Sequence, residues 1–338
     1  MEQNNTSIAT AFLLFLLIGL QSISHAQETI FNHLYELEEV PTIKIETDLK
    51  HLVRHKIKEE YQPATVTILS LKGDLREWTT KVRARGNIRK KVCHFPPIKI
   101  NFKEKELASA GFDSLDILKL VLQCRSSKRT VSYVVKERLA YDLYAMIDTN
   151  SMRAKMVNVE FWNEGEMKES LSAFLVETED HYSQRLNSRI AESGKLNSSI
   201  LKRDHYLKMT FFQYMIGNVD WAIQNKHNVE IIQTADKKYI AVPYDFDYSG
   251  LVNTDYATPH KSLPIDEVTE RFFMSKGVKI GEAIATAAYF ISMKDGLYKC
   301  VTAASYLDDD DKEEVIHYLD GFYQTMESER SLKRAMVK

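Results

Sequence analysis

Gly217-Asn218-Val219-Asp220-Trp221, then Asn228-Val229-Glu230-Ile231-Ile232, then Val242-Pro243-Tyr244-Asp245-Phe246-Asp247 is the stretch on which the reading of this chain turns. Two short apolar runs, 229–232 and 239–242, flank the polar turn Gln233-Thr234-Ala235-Asp236-Lys237-Lys238. Strand-forming runs on either side of a polar turn read as a β-hairpin. The entry and exit of an antiparallel pair lie side by side. Asp220 and Asn228 lead into the hairpin and Asp245 leaves it, so the three are expected at one end of the pair. A surface hairpin with solvated turn acids accounts for any one of them singly. It accounts less well for the ordered set.

The residue types suit chemistry on a polyphosphate. Mg²⁺ takes hard oxygen donors, and a carboxylate with an amide carbonyl supplies them. A second carboxylate facing an acceptor hydroxyl orients it and takes its proton. Asp220 is accordingly assigned to the acceptor, Asn228 and Asp245 to the metal, and Asp247 to a second shared ion. A protein-kinase loop has its Asn five residues after the Asp, next to the strand. The fifth residue here is Asn225, but Asn228 is the one that touches the apolar run. Asn228 is preferred because strand entry fixes geometry, and Asn225 stands as the alternative ligand. His227 reads as a packing or loop hydrogen-bonding residue and Trp221 as a buttress.

Further segments lie upstream: Lys81-Val82-Arg83-Ala84-Arg85-Gly86-Asn87, Phe95-Pro96-Pro97-Ile98-Lys99-Ile100-Asn101-Phe102, Leu118-Lys119-Leu120-Val121 and Phe174-Leu175-Val176-Glu177. With the Gly-Asn-x-Asp and Asp-Phe-Asp elements, they resemble the CotH kinase family, atypical kinases named for a spore coat protein. The resemblance covers about residues 40–275. It implies an α+β, two-lobed, atypical protein-kinase-like fold. The β-rich N-lobe would span about 40–177 with one long helix, and the mainly helical C-lobe about 185–338. It implies ATP with Mg²⁺ or Mn²⁺ as cofactors, and transfer of the γ-phosphoryl to a hydroxyl, on a Ser or Thr of a protein. The alternatives are a nucleotide-binding pseudokinase or cell-surface interaction module without turnover, and an unrelated exported binding protein.

The resemblance also distributes roles. Lys99, in mid-strand, is the candidate phosphate-contacting lysine, and Glu137 in the long helix its ion-pair partner. Arg85 and Asn87 flank Gly86 at a strand end, where glycine lets backbone approach a ligand closely. Glu177 closes a strand at the expected hinge and is carried over as a nucleoside contact. No Gly-x-Gly-x-x-Gly loop is present.

The bulk composition narrows partners and compartment. Apolar content of 44% with 27% charged residues is that of an ordinary globular chain. A formal charge of −2, with no long basic run, gives no basis for a nucleic-acid partner. The apolar run 8–20, followed by Ser24-His25-Ala26, reads as a secretory signal peptide over 1–26, placing the 27–338 domain in the periplasm or outside the cell. Glu2 without Lys or Arg in the n-region keeps an uncleaved anchor as the alternative. No other segment is apolar enough to cross a membrane. Of Cys93, Cys124 and Cys300, a Cys93–Cys124 bridge is open, but three separate thiols are the favoured reading.

Periodicity then places the elements. Strands are expected at 41–45, 64–69, 77–85, 98–102, 157–162 and 170–176, with Lys72-Gly73-Asp74 as a turn. Helices are expected at 48–58, 131–147, 203–216, 267–275, 280–293 and 313–326. The polar stretch 178–197 reads as hinge and connector, and 248–261 as a loop where a kinase has its activation segment.

Overall fold

The computed structural model describes residues 28–69, 76–192 and 197–336. The expected signal peptide and the Lys72-Gly73-Asp74 turn lie outside them. Seven strands form the first half: β1 (Thr42–Glu46), β2 (Gln62–Leu69), β3 (Arg76–Ala84), β4 (Ile98–Asn101), β5 (Ile117–Leu122), β6 (Ala154–Asn163) and β7 (Glu166–Val176). Alternation dictates their two faces. In β4, Ile98 and Ile100 are fully buried while Lys99 and Asn101 are partly exposed, as the sequence implies. The strands close into a barrel in the order β1-β2-β3-β4-β5-β7-β6. Every pairing is antiparallel except the last: β1 lies parallel to β6, with Thr42 opposite Asn158. Closure leaves no free sheet edge. Nothing in the residue pattern signals it, because one parallel pairing between distant strands has no local signature.

Four short helices decorate the barrel: α1 (Ile30–Tyr35), α2 (Leu49–Arg54), α3 (Arg89–Val92) and α4 (Glu104–Ser109). Asp48 caps α2 by accepting from the His51 amide at 2.8 Å. The long helix α5 (Lys128–Ile147) enters between β5 and β6. It is buried almost all round, Lys136, Glu137 and Arg138 included. That places it between layers rather than on a surface. The second half holds α6 (Glu179–Arg185), β8 (Arg189–Ile190), α7 (Arg203–Met215), the hairpin β9 (Val229–Gln233) and β10 (Tyr239–Pro243), and then α8 (Ile280–Ala303), α9 (Asp309–Met326) and α10 (Glu329–Met336).

Two apolar clusters result. One fills the barrel; the other joins α5, α7, α8 and α9 to the outer barrel face through Val121, Phe174 and Val176. The mixture of strands and helices agrees with the α+β expectation, whereas the strands close into a seven-stranded barrel and not into a clear two-lobed kinase arrangement. Several details differ from the sequence reading. The connector holds α6 and β8, and β8 adds a third strand to the hairpin by pairing with β9. The expected helix at 267–275 is irregular: Arg271 reaches the carbonyls of Met215 and Tyr318, and Phe273 packs edge-on against Phe211, anchors that an extended course makes. Cys93 and Cys124 are joined by a disulfide, which corrects the reading of three separate thiols. The sharp return from β3 to β4 brings α3 against the end of β5, where Phe95 N–H donates to Cys124 carbonyl at 3.1 Å. Among the described residues no helix is long and apolar enough to cross a membrane.

Candidate functional site

The helix α7 delivers the first acid. Its end is a Schellman motif: Asn218 N–H donates to Gln213 carbonyl at 2.8 Å and Gly217 N–H to Tyr214 carbonyl at 3.1 Å. Gly217 sits at φ +66°, and a Cβ there would meet the Tyr318 hydroxyl at 2.0 Å, so a larger residue is strained and needs Tyr318 to shift. Asn218 then turns the chain by accepting the Asp220 N–H at 3.0 Å. The loop beyond closes on itself, with Ala222 and His227 exchanging backbone hydrogen bonds around the turn at 223–226. This small ladder absorbs the extra length of the loop. Asn225 sits exposed at its tip, whereas Asn228 is buried at the strand entry.

The hairpin supplies the second acid. Val229 pairs with Pro243, and Tyr244 N–H donates to Asn228 carbonyl at 3.1 Å, so Asn228 and Asp245 flank one open end. Asp245 takes φ +61°, and its N–H donates to the Tyr141 hydroxyl on α5 at 3.0 Å. Both Asp220 oxygens are held: His227 Nε2 lies 2.8 Å from Oδ1, and Asn228 Nδ2 donates to Oδ2 at 2.9 Å. Asn228 thus spends its amide nitrogen on Asp220, leaving its carbonyl oxygen as the atom suited to a cation. Gly250 N–H donates to Gly217 carbonyl at 3.2 Å and Leu251 N–H to Ile216 carbonyl at 3.0 Å, which docks the segment after Asp247 onto the end of α7.

One cavity of about 80 Å³ is lined by Asp220, Asn228, Asp245 and Asp247 on one side and by Arg85 and Asn87 on the other. A wider one of about 620 Å³ shares Asp220, His227, Asn87 and Tyr248 with it and continues towards Lys261 and Val268. Among the described residues no group of three acidic, His or Cys side chains is already gathered as a metal cage. The donor set at the hairpin end, two carboxylates and an amide, nevertheless has the oxygen character that Mg²⁺ takes.

The remaining expected residues lie elsewhere or are engaged. Glu137 is fully buried and pairs with Arg89 at 2.9 Å, not with Lys99. Lys99 stands on the outer barrel face between its cross-strand neighbours Arg83 and Lys119. Partial burial, then Arg83 and Arg85, pull its pKa down. Glu177 is buried and accepts Nε and Nη2 of Arg185 at 2.8 and 2.7 Å and the Arg153 N–H at 3.0 Å. Its carboxylate braces the strand end and the connector, an internal task in place of the expected nucleoside contact. Asp247 is also tied internally: Tyr256 hydroxyl donates to its Oδ2 at 2.9 Å and Arg89 Nε lies at 3.3 Å. Burial, and next the charge of Asp245, push the Asp247 carboxyl up; burial pushes Glu137 up against the pull of Arg89.

Arg89, Lys119 and Glu179 are the residues sequence reasoning did not single out. Arg89 sits beside the basic pair Lys90-Lys91, and a four-residue helix is too short to show a face. Lys119 interrupts the apolar run 117–122, and a lone lysine there was the available signal. Lys119 is buried, ion-paired with Glu179 at the start of α6, and desolvation lowers its pKa.

Comparisons with known proteins add little to this geometry. No family model and no curated protein matches the chain. Among solved structures, the crystal structure of the Helicobacter pylori proinflammatory kinase CtkA is similar, with 8% identity and a TM-score of 0.41, over 75% of this chain and 94% of that one. A likeness this low carries no conclusion about fold or activity.

Proposed function

We propose that this protein is an exported atypical kinase that moves the γ-phosphoryl of ATP to a hydroxyl of a protein. The observation that carries the reading is the meeting of Asp220, Asn228 and Asp245 in one cavity with Arg85 and Asn87 of the barrel end. In this reading the barrel with α5 is the N-lobe and the helical half is the C-lobe. Asp220, oriented by His227 and Asn228, accepts the proton of the attacking hydroxyl. Asn228 and Asp245 would hold Mg²⁺, which supplies charge neutralisation to the polyphosphate. Arg85, Lys99 and Lys119 form a cationic run at the barrel that ends on Glu179 and would attract a polyphosphate. The Cys93–Cys124 disulfide suits an oxidising compartment, in line with the proposed cleavage after Ala26.

The test is incubation of the purified chain with γ-labelled ATP and Mg²⁺ or Mn²⁺, scored for autophosphorylation, beside calorimetric titration of ATP–Mg²⁺. Wild type is expected to bind and turn over, and Asp245→Ala to lose metal-dependent binding. Equal ATP–Mg²⁺ affinity in the two would sink the metal assignment. Binding without turnover on any supplied protein would put the pseudokinase reading ahead. The native N-terminus by mass spectrometry decides export: soluble cytoplasmic protein retaining residues 1–26 would refute it.

A further inference from the structure

Arg89 is a buried cation, paired with two acids, at the wall of the candidate site. Its side chain is 6% exposed, yet it lines the cavity that holds Asp220, Asn228 and Asp245. Nη2 pairs with Glu137 of α5 at 2.9 Å. Nε donates to the Tyr256 hydroxyl at 2.9 Å and lies 3.3 Å from Asp247 Oδ2. Tyr256 in turn donates to that same Asp247 oxygen at 2.9 Å. Two faces of the guanidinium are thus fixed by the long helix and by the turn that carries Asp245 and Asp247. The third nitrogen, Nη1, is buried and has no hydrogen-bond partner in the protein, and the Glu137 oxygens beside the guanidinium are held by the ion pair alone, without a hydrogen bond. A buried guanidinium nitrogen left unpaired is costly, and native proteins rarely leave one without a ligand or water to take it.

The chemistry of Nη1 is specific. Nη1 donates only, so its partner is an acceptor, and a charged acceptor gains most in a buried setting. The neighbouring lining comprises Arg85, Gly86 and Asn87, a second cation beside a glycine at φ +88°. The cavity is small, about 80 Å³, and shares Asn87 and Asp220 with the wider one beside it. Lys99, expected in this role, does not line that cavity. The geometry points to Arg89 as the phosphate-binding cation of the site, with Glu137, Asp247 and Tyr256 as the groups that aim it. This rests on the kinase reading for the identity of the phosphate as part of a nucleotide. It replaces the strand lysine by an arginine on a short helix, and that helix is fastened to the end of β5 by the Cys93–Cys124 disulfide four residues on.

The experiment compares Mg²⁺–ATP, adenosine and Mg²⁺–pyrophosphate binding by calorimetry in wild type, Arg89→Lys and the double variant Arg89→Gln/Glu137→Gln. The double change removes Arg89 together with its Glu137 partner, so Glu137 is not left as an unpaired buried charge if the lysine variant folds poorly, and Asp247 keeps the Tyr256 hydroxyl. A charge-assisted hydrogen bond corresponds to about tenfold to a hundredfold in affinity. The expected result is a loss of that size for Mg²⁺–ATP with adenosine binding unchanged. A cooperatively melting variant that binds Mg²⁺–ATP as tightly as wild type overturns the inference. So does an equal loss for ATP and adenosine, which is what a merely structural role produces. If wild type binds no nucleotide, the kinase reading fails. Pyrophosphate then decides separately: Arg89-dependent binding upholds the anion site, and its absence removes that as well.

Discussion

Asp220 is the residue whose role is most sharply testable. Its two oxygens are oriented by His227 and Asn228, and its side chain is about one-third exposed, open to an acceptor in the larger cavity. Asp220→Asn keeps the shape and removes the basic carboxylate. ATP–Mg²⁺ affinity is therefore expected to persist while phosphoryl transfer falls about 10²–10⁴-fold. Undiminished transfer in single-turnover assays would remove Asp220 from the chemistry. The two asparagines separate as cleanly. Asn228 bonds Asp220 from the strand entry, and Asn225 sits at an exposed turn tip. Asn228→Ala should weaken ATP–Mg²⁺ binding by at least tenfold, and Asn225→Ala should leave the titration curve unmoved. The residue scale is where the sequence was most informative. The order Asp220, Asn228, Asp245 around a hairpin survives as a spatial cluster, because hairpin pairing converts sequence order directly into proximity. Arg89 and Lys119 escaped notice because burial of a charged residue is settled by distant partners, Glu137 and Glu179, that no local pattern announces.

At the scale of elements, the end of α7 is the most constrained feature. Gly217 takes a left-handed conformation, and the space its Cβ would need is filled by Tyr318 from α9 and approached by the Gly250 amide. Gly217→Ala is expected to cost roughly 2–4 kcal/mol in urea denaturation, from the backbone penalty plus overpacking. Tyr318→Phe in the same background should recover part of it by removing the hydroxyl; no recovery would mean that the backbone conformation alone is at issue. The connector helix α6 carries a different signature. His181 is 3% exposed, its ring packs near Phe31, and burial pushes its pKa down to about 4. The folded protein keeps it neutral, whereas the unfolded chain protonates it near pH 6.5. Its contribution is therefore complete above about pH 6.5 and is lost as pH falls towards 4, by up to about 3 kcal/mol. Melting temperatures of wild type and His181→Gln at pH 7 and pH 4.5 check this: the acid-induced drop should be smaller in the variant, and parallel drops would refute it. Helices and strands with strong periodicity, such as α5 and β4, were readable. The irregular 267–275 segment was not, since its course follows from Arg271 bridging Met215 and Tyr318, partners about fifty residues away on either side of it.

On the scale of the whole molecule, α5 is the shared wall. Its buried residues belong to the cluster that joins the outer barrel to α7, α8 and α9, and Leu139 within it is fully buried. Leu139→Ala should cost about 2–5 kcal/mol. If the two halves unfold together, the urea transition shifts as one step with an unchanged slope. A second, earlier transition would show that they unfold separately. The sequence carried the α+β character and the long central helix. Barrel closure lay beyond it.

That closure has a consequence for how the chain must assemble. β1 is made early and can pair with β2 as soon as that strand emerges, but its other side waits for β6, whose residues follow the whole of α5. Until then the sheet is an open ribbon with two unsatisfied borders, and the apolar lining behind Ile43 and Ile45 is not yet sealed. Joining ends so far apart is entropically slow and leaves those borders available to other chains. For a polypeptide that crosses a membrane before folding, as proposed here, the delay keeps it threadable. The same delay makes the interval just after passage the moment when it most needs shielding from its own copies.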